Sequence, residues 1–288
     1  MIKSYFLFFS LFIFFPLRDE NIIGPNISHK NSFVANTAEK YVVCSWNLKD
    51  FGNAKSSATL NFIAQTVSDC DILAIQEVVA GNGGEETVAK LALLLNKGNA
   101  HWAYVVSPPT SGNSYKTERY AFLWKTARVQ LKEKAWLEKK YTLEIDREPY
   151  FATFSLNGKE CTLVNFHAIT KKMQPETEIK YFKFLPAEYP EKNLLFLGDF
   201  NCPATHTVFN PIKAMGYKAA LKDQKTTLKK NCVAKDCLAS AFDNFFYIPD
   251  KVNVDAAWAF YFYKQFQSME DAGKISDHLP VFFRFELN

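Results

Sequence analysis

The chain reads as an α/β protein (α+β by content), a four-layer sandwich in which two mixed β-sheets pack together with helices on the outer faces. Three features predict this. Short apolar runs of strand type alternate with stretches of helical spacing, so both kinds of layer are present. An Asn157-Gly158 turn joins two of the runs, which puts hairpins among the crossovers. The runs carry no charge until their ends, as strands covered on both faces do.

The elements follow in order. Tyr41 to Trp46 reads as a strand ending at Asn47, and Ala58 to Val67 as a helix with Leu60, Ile63, Ala64 and Val67 on one face. Ile72 to Ile75 is a buried strand that ends at Gln76-Glu77. Glu86 to Leu95 is a second helix, with Val88, Leu91, Leu94 and Leu95 inward. Tyr120 to Trp124, Ala152 to Leu156 and Cys161 to Phe166 are strands, and Glu176 to Leu185 is helical. Leu194 to Leu197 runs as a strand into Gly198-Asp199-Phe200-Asn201. A helix near Val208 to Met215, a strand near Phe245 to Ile248 and a last strand from Val281 to Phe285 complete the set.

The 288 residues are 48% hydrophobic, enough for one sizeable core, and show no long linker, internal repeat or low-complexity stretch. The net charge of +4 suits a polyanionic partner without demanding one. Tyr5 to Phe15 is apolar but short for a membrane span, and Lys3 precedes it. Residues 1–17 are therefore expected to be a signal peptide, with an uncleaved membrane anchor as the alternative. Residues 18–39 read as a disordered polar spacer and 40–288 as one domain, secreted or periplasmic. In such a compartment the six cysteines need reading. Cys44, Cys70 and Cys161 lie in apolar contexts and are expected as buried thiols. Cys202, Cys232 and Cys237 lie in loop-like sequence, so one disulfide among them is expected, leaving one unpaired. They lack the Cys-x-x-Cys spacing of a zinc site.

Polar side chains stand at five strand ends: Asn47, Glu77, His167, Asp199 with Asn201, and Asp277-His278 before the last strand. Each alone is a common cap, turn or interior residue. Together they point to one site, because strand ends in an α/β fold converge on one face. Carboxylate and amide oxygens suit a hard cation, and histidines move protons near neutral pH. That combination suits phosphodiester hydrolysis.

Four runs carry a more specific resemblance: Ser45-Trp46-Asn47, Ile75-Gln76-Glu77-Val78, Gly198-Asp199-Phe200-Asn201 and Ile275-Ser276-Asp277-His278-Leu279-Pro280. With them the chain resembles the endonuclease/exonuclease/phosphatase superfamily from about residue 41 to 288. Within it, Asn113 to Phe122, Arg147-Glu148-Pro149 and Ala241-Phe242-Asp243 resemble deoxyribonuclease I. The resemblance implies a secreted endonuclease that needs Mg2+ or Mn2+, with Ca2+ as a further structural or co-activating ion. It implies that Glu77, Asn47 and Asp277 bind the catalytic cation. Glu118 would orient His167 and Asp243 would orient His278, with His278 as base and His167 as acid. Asp199 and Asn201 would hold phosphate and water. Tyr115 would stack on a sugar and Arg147 would contact a phosphate. The partner implied is DNA, double-stranded and read with little sequence preference, with RNA as the alternative and a 5′-phosphate product. No obligate protein partner is implied, and a monomer is expected.

The chain also departs from the family. Val79 and Asn244 stand where it has arginines, Thr117 is inserted, and the cysteine spacings differ. Two other readings stay open on these residues. One is a secreted phospholipase C, sphingomyelinase or phosphoinositide phosphatase, for which Trp258 to Tyr263 would be membrane-facing aromatics and not the preferred buried strand or helix. The other is a non-catalytic binding module of the same fold.

Overall fold

The computed structural model describes residues 39–111, 117–233 and 236–288, and residues 38–288 form one unit. The expected signal peptide, nearly all of the spacer, and Tyr115 lie outside the described residues. In chain order the first elements are β1 (Tyr41–Phe51), α1 (Ser57–Val67), β2 (Ile72–Val79), α2 (Gly84–Leu95), β3 (Trp102–Val106), β4 (Glu118–Lys125), β5 (Val129–Leu131) and β6 (Trp136–Leu137). Then come β7 (Tyr150–Leu156), β8 (Lys159–His167), α3 (Glu176–Ile179), α4 (Leu185–Glu188), β9 (Leu194–Asp199), α5 (Asn210–Ala214) and β10 (Lys218–Ala219). The last are β11 (Leu228–Val233), β12 (Asp236–Leu238), β13 (Asp243–Tyr247), β14 (Val252–Ala259), α6 (Met269–Ile275) and β15 (Val281–Leu287).

One sheet has the order β14-β15-β1-β2-β4-β3, and the other β10-β13-β9-β8-β7-β5 with β6 also on β7. Each has a single parallel pair at its centre, β1 with β2 and β8 with β9, among antiparallel neighbours. The two mixed sheets of the sequence reading are thus present. The layering follows from the period of two along a strand. On β9, Leu195 and Leu197 join the core between the sheets, while Leu194 and Phe196 turn outward beneath the helices. There Phe182 packs against Phe166, Phe196 and Phe200, with ring centroids 4.6, 5.2 and 6.1 Å away. On the other sheet, Leu60, Ile63, Val88 and Leu91 of α1 and α2 supply the covering layer. The Ser56 hydroxyl caps α1 by accepting the Thr59 N–H.

Several elements differ from the sequence reading. The helix expected over 176–185 is broken into α3, a 3-10 turn at Phe182–Phe184, and α4. Pro186 has no N–H to bond the Phe182 carbonyl, so the α ladder cannot run through. Pro211 interrupts the expected 208–215 helix in the same way, leaving a 3-10 turn at Thr207–Phe209 ahead of α5. Strands β3, β5, β6, β11, β12 and most of β14 were not anticipated; they are short or lie at sheet edges, where alternation is weak. Trp258, next to the end of β14, stacks on Phe282 at 5.2 Å; Phe262 is buried, and the other aromatics from 258 to 263 are partly buried. Cys44, Cys70 and Cys161 are buried and free, as is Cys202, and Cys232 bonds to Cys237 across the β11–β12 hairpin. No helix of the described residues is long and apolar enough to cross a membrane.

Gly198 has φ +132°, and a Cβ there would lie 1.9 Å from the Phe166 carbonyl oxygen. The glycine thus permits a close approach of backbone on backbone, at the paired positions of β8 and β9. Gly198→Ala is expected to cost roughly 3 kcal/mol or more of stability, read by urea unfolding. A loss below about 0.5 kcal/mol would show that the strands separate easily there.

Candidate active site

Strand register brings the polar ends together. Asn47 pairs in parallel with Gln76, next to Glu77, and His167 pairs in parallel with Asp199. Antiparallel neighbours start where these strands end: Glu118 opposite Val79, and Asp243 opposite Asp199. Ser45 faces Val281, so Asp277 and His278 fall just beyond the same edge. Backbone irregularities then re-aim the side chains. Glu77 has φ +61° at a bulge between Ile75 and Val78, and Lys49 and Asp50 have φ +39° and +48° in a matching irregularity of β1. Asn201 has φ +47°, with its N–H donated to Asp199 Oδ1 at 2.9 Å. The loop before β15 is fixed from β1: Trp46 Nε1 donates to the His278 carbonyl at 2.8 Å and Ser276 Oγ to the Asn47 carbonyl at 2.6 Å.

A cavity of about 380 Å3 opens there, lined among others by Glu77, Glu118, Arg147, His167, Asp199, Asn201, Asp277 and His278. Asn47 and Asp243 stand behind its wall. Both imidazoles are built alike. His167 Nδ1 is 2.7 Å from Glu118 Oε1, and His278 Nδ1 is 2.9 Å from Asp243 Oδ2. Asp243 in turn accepts from Thr226 Oγ1 at 2.6 Å. The two Nε2 atoms lie 3.4 and 3.5 Å from one oxygen, Asp199 Oδ2. The same oxygen accepts from Asn47 Nδ2 at 3.1 Å.

The surroundings of the two rings differ. Burial and the Arg147 guanidinium push the His167 pKa down to about 4. Burial acts to lower that of His278 as well, but the Asp243 and Asp199 carboxylates outweigh it and push it up to about 10. These shifts favour the neutral form of His167 and the cationic form of His278 near neutral pH.

Arg147, expected to reach a phosphate, is 7% exposed and inside the site. Its guanidinium donates to Glu118 Oε2 at 3.2 Å and to the Ala168 carbonyl, and lies 3.2 Å from His167 Nδ1. Asn201 Nδ2 donates to the same carbonyl at 3.0 Å. Asp277 is half-exposed and paired with Lys49 at 3.2 Å. Two contributors escaped the sequence reading: Thr226, a plain loop residue there, and Lys49, whose only signal was a charge just past a strand end.

The donor set fits a hard cation. Glu77 Oε1 accepts from Asn47 Nδ2 at 2.9 Å and Oε2 from the Asp50 N–H at 3.0 Å. Among the described residues no Lys or Arg pairs with it; the nearest cationic group in principle is His167 at 3.9 Å, held neutral. A carboxylate with no direct ion pair to Lys or Arg among the described residues, beside Asp199 and Asp277, matches what an oxygen-seeking divalent ion needs, although Lys55 acts on it electrostatically. Asp199, Asp243 and His278 also lie close enough to hold an ion, but the direct His278–Asp243 bond makes that ring a proton carrier first.

The chain is similar to known proteins in sequence and in fold. The chain is 26% identical to deoxyribonuclease gamma of Rattus norvegicus over 276 residues, covering 85% of this chain and 84% of the rat protein. It is also 26% identical to deoxyribonuclease-1-like 1 of Mus musculus, over 84% of this chain and 79% of the mouse protein. Among solved structures, an endonuclease/exonuclease/phosphatase family protein from Bacteroides thetaiotaomicron aligns with a TM-score of 0.62 at 17% identity, over 87% of this chain and 99% of that one. The chain has the endonuclease/exonuclease/phosphatase fold and resembles deoxyribonucleases. No family model matches it.

The opposite shifts of the two rings predict an opposite pH dependence of stability in EDTA. Between about pH 6.5 and 4 the unfolded chain takes a proton at residue 167 that the folded chain refuses, so stability falls toward acid. The contribution of His278 is full below about pH 6.5 and is lost as pH rises to about 10. Urea unfolding at roughly pH 5, 6.5 and 9 is expected to show both arms. His167→Asn should flatten the acid arm and His278→Asn the alkaline one; arms that both variants leave intact would contradict these ring environments.

Proposed function

We propose that this deoxyribonuclease-like chain is a divalent-cation-dependent endonuclease that hydrolyses DNA phosphodiester bonds with little sequence preference. The observation that carries the reading is the pair of imidazoles, each held at Nδ1 by its own carboxylate and both directing Nε2 at Asp199 Oδ2. Two such rings on one small cavity can take a proton from water and give one to a leaving oxygen on the same phosphate. Asn201 would position that phosphate, and Arg147 would keep His167 and Glu118 in register. Glu77, Asp277 and Asn47 would hold Mg2+ or Mn2+, which when bound neutralises charge on the phosphate. Attack by water in line would leave a 5′-phosphate and a 3′-hydroxyl.

DNA is favoured over a lipid substrate by two facts. The named relatives are deoxyribonucleases over nearly the whole chain. The aromatic stretch 258–263, which a membrane-directed enzyme could have exposed, has Phe262 buried and its other aromatics partly buried against the core. The apolar leader at Tyr5 to Phe15 and the Cys232–Cys237 disulfide support export. Phosphate contacts from surface lysines would make binding weaken with salt.

The test is nicking of supercoiled plasmid by the purified chain. Activity is expected with Mg2+ or Mn2+ and not in EDTA. Glu77→Gln, His167→Ala and His278→Ala should each lower kcat by about a hundredfold or more while the chain stays folded. Full activity of His278→Ala, or nicking undiminished by EDTA, would overturn the reading.

A further inference from the structure

We propose that Glu178 is a positioning residue for the His167 arm of the site, which makes this inference rest on the reading of His167 as catalytic. Glu178 lies on α3, outside the cavity, and is 1% exposed. Its two carboxylate oxygens accept one backbone N–H each: Asp146 on Oε1 at 2.7 Å and Ile169 on Oε2 at 2.8 Å. Asp146 immediately precedes Arg147, and Ile169 follows His167 and Ala168.

Arg147 spans these two loops. Its base is on one, while its guanidinium reaches His167 and the Ala168 carbonyl on the other. The Ala168 N–H donates to the Asp199 carbonyl at 2.9 Å, and its carbonyl also takes Asn201 Nδ2. One carboxylate thus ties together the segments that carry Arg147, His167 and the support of Asn201. Moving either loop by half an ångström would misplace the Arg147–His167–Glu118 set.

The siting is costly, which argues for a purpose beyond packing. Burial pushes the Glu178 pKa up to about 7, with a smaller push from the Asp146 carboxylate, although the Ile169 and Asp146 N–H groups and the Arg147 guanidinium act to lower it. A carboxylate does what no other side chain of that size does here, because it accepts on both oxygens. Glutamine has one acceptor and turns an NH2 toward the second N–H, donor against donor. Glu178→Gln therefore keeps the volume and releases one loop.

The experiment is steady-state cleavage of DNA by the full chain, with melting measured on the same samples. Wild type is assayed first; if it cleaves no phosphodiester, the nuclease reading falls by itself. With an active wild type, Glu178→Gln is expected to lower kcat by about tenfold to a hundredfold with KM for DNA little changed. Because it acts through Arg147, the double variant with Arg147→Lys should be no slower than Arg147→Lys alone. The 15N shifts of the His167 ring should also move in Glu178→Gln, a readout that needs no turnover. Glu178→Asp, which keeps the charge but shortens the reach, should show the same pattern if the glutamine variant does not fold. A lower melting temperature with unchanged kcat and ring shifts, additive losses in the double variant, or failure of both variants to fold would each reduce Glu178 to a structural residue and overturn the proposal.

Discussion

Between the two sheets, the buried Gln76 side chain donates to Asn165 Oδ1 at 2.6 Å and to Ser45 Oγ at 3.1 Å. Asn165 Nδ2 donates in turn to the Ile75 carbonyl at 3.1 Å. These bonds tie β2 of one sheet to β8 of the other, as the buried His167 N–H bond to the Tyr120 hydroxyl ties β8 to β4. Gln76 precedes Glu77, and Asn165 stands two residues before His167, so the bonds also set how the halves of the site face each other. The arrangement has a cost: Gln76 Oε1 is buried with no partner among the described residues, about 1–3 kcal/mol in general terms. Apolar packing alone would tolerate small sliding of one sheet on the other; a buried amide pair does not.

From that alignment the chemistry needs only local departures from regular strand. Positive φ at Glu77, Asn201, Lys49 and Asp50 occurs where each parallel pair ends, and nowhere in the strand centres. These conformations are paid for by the rigid sheets behind them. The result is two rings of one design in two electrostatic settings, His167 beside a guanidinium and His278 among carboxylates. A pair of titratable groups pushed apart in this way is what acid–base work on a single phosphate requires.

Much of this was legible in the sequence because strand ends are marked by a change of composition. Leu194 to Leu197 running into Asp199 and Asn201 announces both the strand and the site, and the same holds for Ile72 to Glu77 and for His167. What was not legible falls into two kinds. Short edge strands such as β3 and the β11–β12 hairpin lack alternation over enough residues to be separated from loop. The inward turn of Arg147 was hidden for another reason: a sequence shows that an arginine is present but not which carboxylate and carbonyl will claim it. Glu178 is the same case, an ordinary helix residue until two loops 23 residues apart are brought to it, as the bonds to Asp146 and Ile169 show. The broken helices could have been foreseen from Pro186 and Pro211.

Charge decides how the site can meet its substrate. Six carboxylates converge there, Asp50 among them, and a phosphodiester adds another negative charge. Two like charges 4 Å apart repel by about 4 kcal/mol at an effective dielectric near 20. Most of the carboxylates are answered by the protein: Glu118 by Arg147, Asp243 by His278, and Asp277 by Lys49. Asp199 is shared between the two rings and the Asn47 amide. Glu77 is left with a backbone N–H and an amide as its bonded partners, and Lys55 acts on it electrostatically. The least compensated charge therefore lies on the side of the cavity where Glu77 and Asp50 stand. On the proposed reading a cation would sit on that side of the cavity, and its charge would offset the repulsion that a phosphate meets there.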